Sequence, residues 1–355
     1  MRHVIPLAAA ALLAACGEQR PATAPAYPLS ASPDTLVVPV VHISDAAPRA
    51  DGTWAVLGTE EMQVYVADFA AGTVSPHPGI TKEEVPGAVV MTAMGDTIFL
   101  GDYGLRRVTA WLPDGQRVDA VPMSAATRGA FPRGRDAAGQ WYFEMWPPPG
   151  VDGRGVLDSG AVVRGNVDLT RFDTVARLTP PAVMEVNDDG RPRLAQLVLA
   201  GRDGWGVMRD GTVWLGRINQ NQVFWYPPGG GAPSSTRPLP DPIIQVTEMD
   251  RQIYIRRYPE EQRAALATVR FAGVKPPFER AFADARGRVW LYKSVPALDT
   301  LRSFQVADST GWLFSVTVPT YGVALGISAS HILVGEEFPG GIRLLRFPMP
   351  AEARP

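Results

Sequence analysis

Four histidines, one cysteine, and a scatter of arginines and carboxylates are the residues of this chain whose chemistry could go beyond packing. His3, His42, His77 and His331 share no metal-ligand spacing, and no G-x-S-x-G accompanies them. Neither a zinc motif nor a serine triad is written in the sequence. Cys16 is the single cysteine, which excludes an intramolecular disulfide and a Cys-based zinc site. Arginines gather at Arg128, Arg133 and Arg135, and again at Arg256 and Arg257 beside Tyr258. Guanidinium forks suit carboxylate or phosphate, so both places are candidate anion sites, with ion pairing to nearby Asp or Glu as the competing use. Trp146, in "MWPPPG", is an aromatic flanked by stiff prolines: a candidate ligand or protein contact, or a loop folded over its own domain.

Such residues need a scaffold, and the chain can build a large one. Of 355 residues 46% are hydrophobic and 20% charged, enough apolar material for an extensive core. The 34 basic residues are interspersed with 36 acidic ones, so the concentrated basic surface that nucleic acid needs is absent. Only Lys82, Lys275 and Lys293 are lysine; with abundant Ala, Gly and Pro, the arginine excess fits GC-rich coding.

The N-terminus, "MRHVIPLAAAALLAACGEQR", has a positive start at Arg2, an apolar run from Val4 to Ala15 too short to span a bilayer, and small residues before Cys16. Residues 1–15 are therefore expected to be an export signal. Leu13, Ala14, Ala15 and Cys16 resemble the lipobox of bacterial lipoproteins, which implies cleavage before Cys16 and acylation of it. Gly17, rather than Asp, follows, and the resemblance then implies the outer membrane. Residues 16–34, rich in Pro, Ala and Ser, read as a flexible tether, and 35–350 as one domain.

Within that domain one pattern recurs: "ADGTWAVLG", "MGDTIFLGD", "AAGQWYFEM", "RDGTVWLGR", "ARGRVWLYK" and "SASHILVGE". Aligned on Gly52, Gly95, Gly139, Gly211, Gly287 and Ser330, the intervals are 43, 44, 72, 76 and 43 residues. A period of roughly 40 to 45 residues with short β runs signals propeller blades. The spacing predicts an all-β, six-bladed β-propeller in which each copy is the first hairpin of a blade. Trp54, Phe99, Tyr142, Trp214, Trp290 and Leu333 then fill the gaps between blades. Thr35 to Ile43 supplies a strand to complete the last blade and close the ring. The first long interval is assigned to a protruding loop at 145–160. The second is assigned to a helical insertion between blades 4 and 5, capped by Thr247 and Asp250 and interrupted near Pro259. The competing reading makes residues 253–258 a strand of a seventh blade.

The second copy, "IFLGDYGLRRVTAWLPDGQRV", resembles an NHL-type repeat through Asp102, Arg107, Val108, Trp111, Asp114 and Gly115, although the usual Asn in its turn is absent. "KPPFERAFADARGRVWLYKS", "FQVADSTGWLFSVTVP" and "IRLLRFPMP" are similar to the C-terminal half of six-bladed propeller lipoproteins related to the NHL and TolB-like groups. This resemblance implies an extracytoplasmic binding propeller. Some relatives in the wider group are metal-dependent, which makes Asp45, Asp136, Glu185, Asp203 and Asp284 candidate Ca²⁺ or Zn²⁺ ligands. For an Asp beside Gly, capping the local turn is the commoner role. The expectation is a monomeric, lipid-anchored, non-catalytic binding module with no cofactor, serving an envelope protein or a small-molecule or carbohydrate ligand. The alternatives are a metal-dependent hydrolase or lyase using Ca²⁺ or Zn²⁺, and an envelope-assembly scaffold of TolB-like type.

Overall fold

Gly52, Gly95, Gly139, Gly211 and Gly287 all have positive φ, at 85°, 60°, 81°, 87° and 78°. A side chain is disfavoured there, so glycine at these turns is what allows each tight first hairpin. The computed structural model describes residues 25–29, 32–122, 125–147, 159–188, 191–256, 258, 260–266, 269–319 and 322–354.

Each turn opens one antiparallel sheet, and there are six sheets around the ring. Blade 1 is Ile43–Pro48, Trp54–Gly58, Gln63–Asp68 and Thr73–Pro76, from innermost to outermost strand. Blade 2 is Ala88–Met94, Thr97–Asp102, Arg107–Trp111 and Arg117–Pro122. Blade 3 is Pro132–Arg135, Trp141–Met145, Ala161–Gly165 and Phe172–Arg177. Blade 4 is Gly204–Val207, Val213–Arg217, Gln222–Tyr226 and the two-residue Ser234–Ser235. Blade 5 is Phe278–Ala283, Val289–Lys293, Leu301–Asp308 and Gly311–Pro319. Blade 6 has three strands from the C-terminus, Val323–Ile327, His331–Phe338 and Gly341–Pro348.

The expected closure is present. Asp34–Val38 pairs antiparallel with the third strand of blade 6, Asp34 opposite Arg346 and Val38 opposite Ile342. Arg346 donates to the Asp34 carboxylate at 2.6 Å, tying the two ends of the domain together. One segment departs from the expected tether. Ala26–Pro28 adds parallel to Gly311–Pro319 as a fifth strand of blade 5, and Tyr27 packs edge-on against Phe314 at 5.7 Å.

Six apolar clusters hold the ring, one at each seam between neighbouring blades. Trp54 and Val56 meet Leu333 and Leu344 between blades 1 and 6, and Leu57 meets Ile98 and Leu100 between blades 1 and 2. Phe99 meets Trp141, Tyr142 meets Val213 and Leu215, and Trp214 meets Phe278 and Leu291 at the next three seams. Trp290 and Phe304 meet Ile332 and Phe347 at the last. All six repeated large residues are buried, as packing requires.

Both long intervals hold insertions. The first contains more than the predicted loop, part of which lies outside the described residues. Val183–Asp188 and Arg191–Gln196 form a separate two-stranded hairpin between blades 3 and 4. The second contains helices α1 (Glu248–Arg256) and α2 (Glu260–Leu266). Thr247 and Asp250 cap α1 reciprocally: the Thr247 amide reaches the Asp250 carboxylate at 2.8 Å, and the Asp250 amide reaches the Thr247 hydroxyl at 3.3 Å. That capping starts a helix where the seven-blade alternative needs a strand, so residues 253–256 are helical and the ring has six blades.

Candidate functional site

Antiparallel order fixes what each face of the ring carries. The innermost strands end at the glycine turns on one face, the turn face. The links between blades and the loops from second to third strand therefore lie on the opposite one, the link face. The hairpin of strands Val183–Asp188 and Arg191–Gln196 and the two helices belong to the link face, between blades 3 and 4 and between blades 4 and 5.

Together they enclose a cleft of about 540 Å³. Its walls are Arg133 and Glu144 from blade 3, Gln196 from the hairpin, the segment 197–204, Tyr254 from α1, and Phe278 to Arg280 from blade 5. Glu144, at the end of the second strand of blade 3, is the best-anchored charge in this wall. Its carboxylate accepts the Trp146 indole N–H at one oxygen and the Trp205 indole N–H at the other, both at 2.8 Å. Arg133 Nε lies 3.9 Å from the same carboxylate and keeps its side chain 55% exposed, so its charge faces solvent in the cleft. Asp203 lines the cleft, but its oxygens accept the amides of Thr179 at 2.7 Å and Ile218 at 2.9 Å. Glu279 pairs with Arg302 at 3.1 Å. The Tyr254 hydroxyl meets that of Tyr258 at 2.8 Å, and its ring lies edge-on to Phe271.

Asp45, on the innermost strand of blade 1, accepts the Met91 amide of blade 2 at 3.1 Å. Burial pushes its carboxyl above the ordinary value, against the Met91 hydrogen bond and the attraction of Arg133 and Arg280. This carboxylate and two guanidiniums, from blades 1, 3 and 5, therefore share one electrostatic environment at the middle of the ring.

Of the residues singled out in the sequence, Arg133 and Asp203 line the cleft, Trp146 holds Glu144 in place, and Tyr258 supports Tyr254. Arg135 is elsewhere: it stacks on Trp141 at 4.6 Å and donates to the Gly139 carbonyl at the turn face. Arg256 ends α1 exposed, its carbonyl receiving Arg263 at 3.3 Å. Asp136 and Asp284 anchor turns in the same way. Each accepts the amide four residues on, at 2.9 Å from Gln140 and 3.1 Å from Arg288. Each also accepts the side chain six residues on, the Tyr142 hydroxyl or the Trp290 indole, at 2.9 Å. Glu185 is exposed on the hairpin. Among the described residues no three His, Cys, Asp or Glu side chains converge to fit a Ca²⁺ or Zn²⁺ ion. His77 is buried with Nδ1 on the Pro78 carbonyl, His331 contacts the Ser330 hydroxyl, and His42 is exposed. Cys16 and Arg257 lie outside the described residues.

Glu144, Tyr254, Arg202 and Arg280 were not singled out from the sequence. Gly201 gave a faint signal: its φ is +74°, and a Cβ there would come within 2.6 Å of Pro276. It marks where the chain is pressed against blade 5 to shape the cleft wall.

Fold and cleft together define a six-bladed β-propeller with an elaborated link face. A member of the DUF4221 family from Bacteroides vulgatus has the same fold, with TM-score 0.50, 7% identity, and 89% of this chain and 96% of that one covered. Virginiamycin B lyase from Staphylococcus aureus (TM-score 0.47, 8% identity, 89% and 99% covered) and the calcium-binding protein regucalcin from Agrobacterium tumefaciens (0.44, 9%, 92% and 97%) are also similar. No protein-family model and no curated sequence matches the chain.

Proposed function

We propose that this protein is an extracytoplasmic, lipid-anchored binding propeller whose ligand, a small molecule, docks in the link-face cleft. The carrying observation is that both long intervals of an otherwise regular repeat place their extra structure around one cleft of about 540 Å³, within the range of roughly 300 to 1,000 Å³ of small-molecule sites. Two of its carboxylates, Glu144 and Asp203, are held by indole and amide donors, as suits a rigid binding wall. The signal-like N-terminus and the small residues before Cys16 support export and acylation. The metal-dependent hydrolase or lyase alternative gains no ligand set among the described residues.

The test is a fragment screen on the purified mature protein by ligand-observed NMR. Binding lost in Tyr254→Ala and kept in Arg135→Ala, which alters only the turn face, is the expected result. Ligands indifferent to Tyr254→Ala would overturn the assignment of the site. Palmitate labelling that persists in Cys16→Ser would overturn the anchor.

A further inference from the structure

We infer that the cleft selects a small organic anion, its carboxylate or phosphate head held by Arg133, Arg202 and the backbone at 199–202, and its apolar body laid against Leu197, Ala200 and Tyr254. This inference rests on the cleft being the binding site.

The hydrogen-bonding state of the wall leads there. Each acidic residue is already engaged: Glu144 by two indoles, Asp203 by two amides, Glu279 by Arg302. Two of the basic ones, Arg133 and Arg202, are less committed. Arg133 is 3.9 Å from Glu144 and mostly exposed, and Arg202, also exposed, meets among the described residues the neutral Gln196 side chain. Arg280 adds a third guanidinium beside the cleft, near Asp45. What the wall leaves for a ligand is therefore donor capacity, the exposed guanidiniums of Arg133 and Arg202 beside carboxylates whose oxygens are already in use.

The backbone adds neutral donors. Leu199 has φ +61° and Gly201 φ +74°, so two left-handed residues flank Ala200 in a segment that lines the cleft. A leucine in that region is uncommon and strained, and such strain concentrates at ligand sites. The amides of Leu199, Ala200, Gly201 and Arg202 have no acceptor among the described residues. Successive amides bent in this way form concavities that favour anions. The rest of the wall, with Leu197, Val198, Ala200 and Tyr254, is apolar and suits a hydrocarbon or aryl body rather than a bare inorganic ion.

The experiment is calorimetric titration of the mature protein with 2-naphthoate, phenyl phosphate, inorganic phosphate and the neutral 2-naphthylmethanol, at two salt concentrations. The expected result is that an aryl anion binds more tightly than the alcohol and than inorganic phosphate. Its affinity should fall with salt and drop about tenfold or more in Arg133→Gln and in Arg202→Gln, the scale of one charge-assisted hydrogen bond. Preference between naphthoate and phenyl phosphate then identifies the head group. If 2-naphthylmethanol binds as tightly as naphthoate and is lost in Tyr254→Ala, the cleft stands and the anion inference falls. If naphthoate and phenyl phosphate fail to bind at millimolar concentration, the inference also falls, while the fragment screen judges the cleft separately.

Discussion

Replacing Glu144 with Gln keeps the shape of the side chain but turns one of its two acceptor atoms into a donor. Both acceptors are in use, each receiving an indole N–H at 2.8 Å, and the side chain is only 15% exposed. Glu144→Gln therefore sets an amide N–H against the N–H of Trp146 or Trp205, and weakens the remaining bond from charge-assisted to neutral. A hydrogen bond to a charged group contributes about 1.5 to 3 kcal/mol and a neutral one about 1, which puts the loss at roughly 2 to 4 kcal/mol. Arg133 contributes little to this figure, because at 3.9 Å and 55% exposure its pairing with Glu144 is screened; Arg133→Ala is expected to cost under about 1 kcal/mol. Urea unfolding followed by tryptophan fluorescence measures both. A double-mutant cycle with Trp205→Phe should give a coupling of about 0.5 kcal/mol or more, as contacting residues do. If Arg133→Ala costs more than Glu144→Gln, or if Glu144→Gln is neutral, the carboxylate is held by its ion pair or by nothing, and the rigid-wall argument fails.

Asp45→Asn keeps an acceptor for the Met91 amide and removes a charge that burial disfavours. Because the folded-state pKa lies above 3.8, the charged carboxylate destabilises the fold above that window and not below it. Asp45→Asn should thus raise the urea midpoint at pH 7 and lose this advantage as the pH falls below about 4, where the parent is protonated in both states. Asp284→Ala strips acceptors from two amides, Trp290 and the buried Arg288 guanidinium, so a loss of about 3 to 5 kcal/mol is expected by denaturation. Asp136→Ala, with fewer dependents, should cost less, and neither loss should depend on added Ca²⁺. Truncation through Val38 removes the closing strand and exposes the third strand of blade 6; the soluble yield should collapse, whereas truncation through Ser32 should spare the ring.

The ring was legible because its cause is local and repeated. A glycine at positive φ followed by a β-branched and aromatic run forms the first hairpin in five of the six copies, and six copies leave a closed set of seams as the way to bury Trp54, Trp214 and Trp290. The helical insertion was legible for the same reason, since Thr247 and Asp250 form a cap within four residues of sequence. The hairpin at 183–196 was missed although the sequence "DG" at 189–190 separates its two strands, because the loop at 145–160 already accounted for the length of that interval. The candidate site was mostly illegible. Glu144 and Trp205 are 61 residues apart, and nothing in a glutamate after "WYF" announces that two indoles will converge on it. Arg133 and Arg135 look equivalent in sequence, yet a strand places them at opposite ends of one short segment, one over the cleft and one under Trp141.

The placement of the cleft follows from topology. In a ring of four-stranded blades the first turn must stay short, because the innermost strands crowd around the axis and the turn face has room only for tight hairpins. Links between blades and second-to-third loops meet no such limit, so added length collects on the link face whatever its sequence. Two neighbouring links on that face, between blades 3 and 4 and between blades 4 and 5, carry the additions described here, and neighbouring additions wall off a volume that separated ones could not. The intervals of 72 and 76 residues therefore carried functional information that no residue type did. Adjacent long intervals in a propeller repeat point to a walled cleft between them, on the face away from the glycine turns. Removing 183–196, the hairpin of the first long interval, should leave the six seams intact and abolish ligand binding in the same variant, a separation readable by unfolding and by NMR.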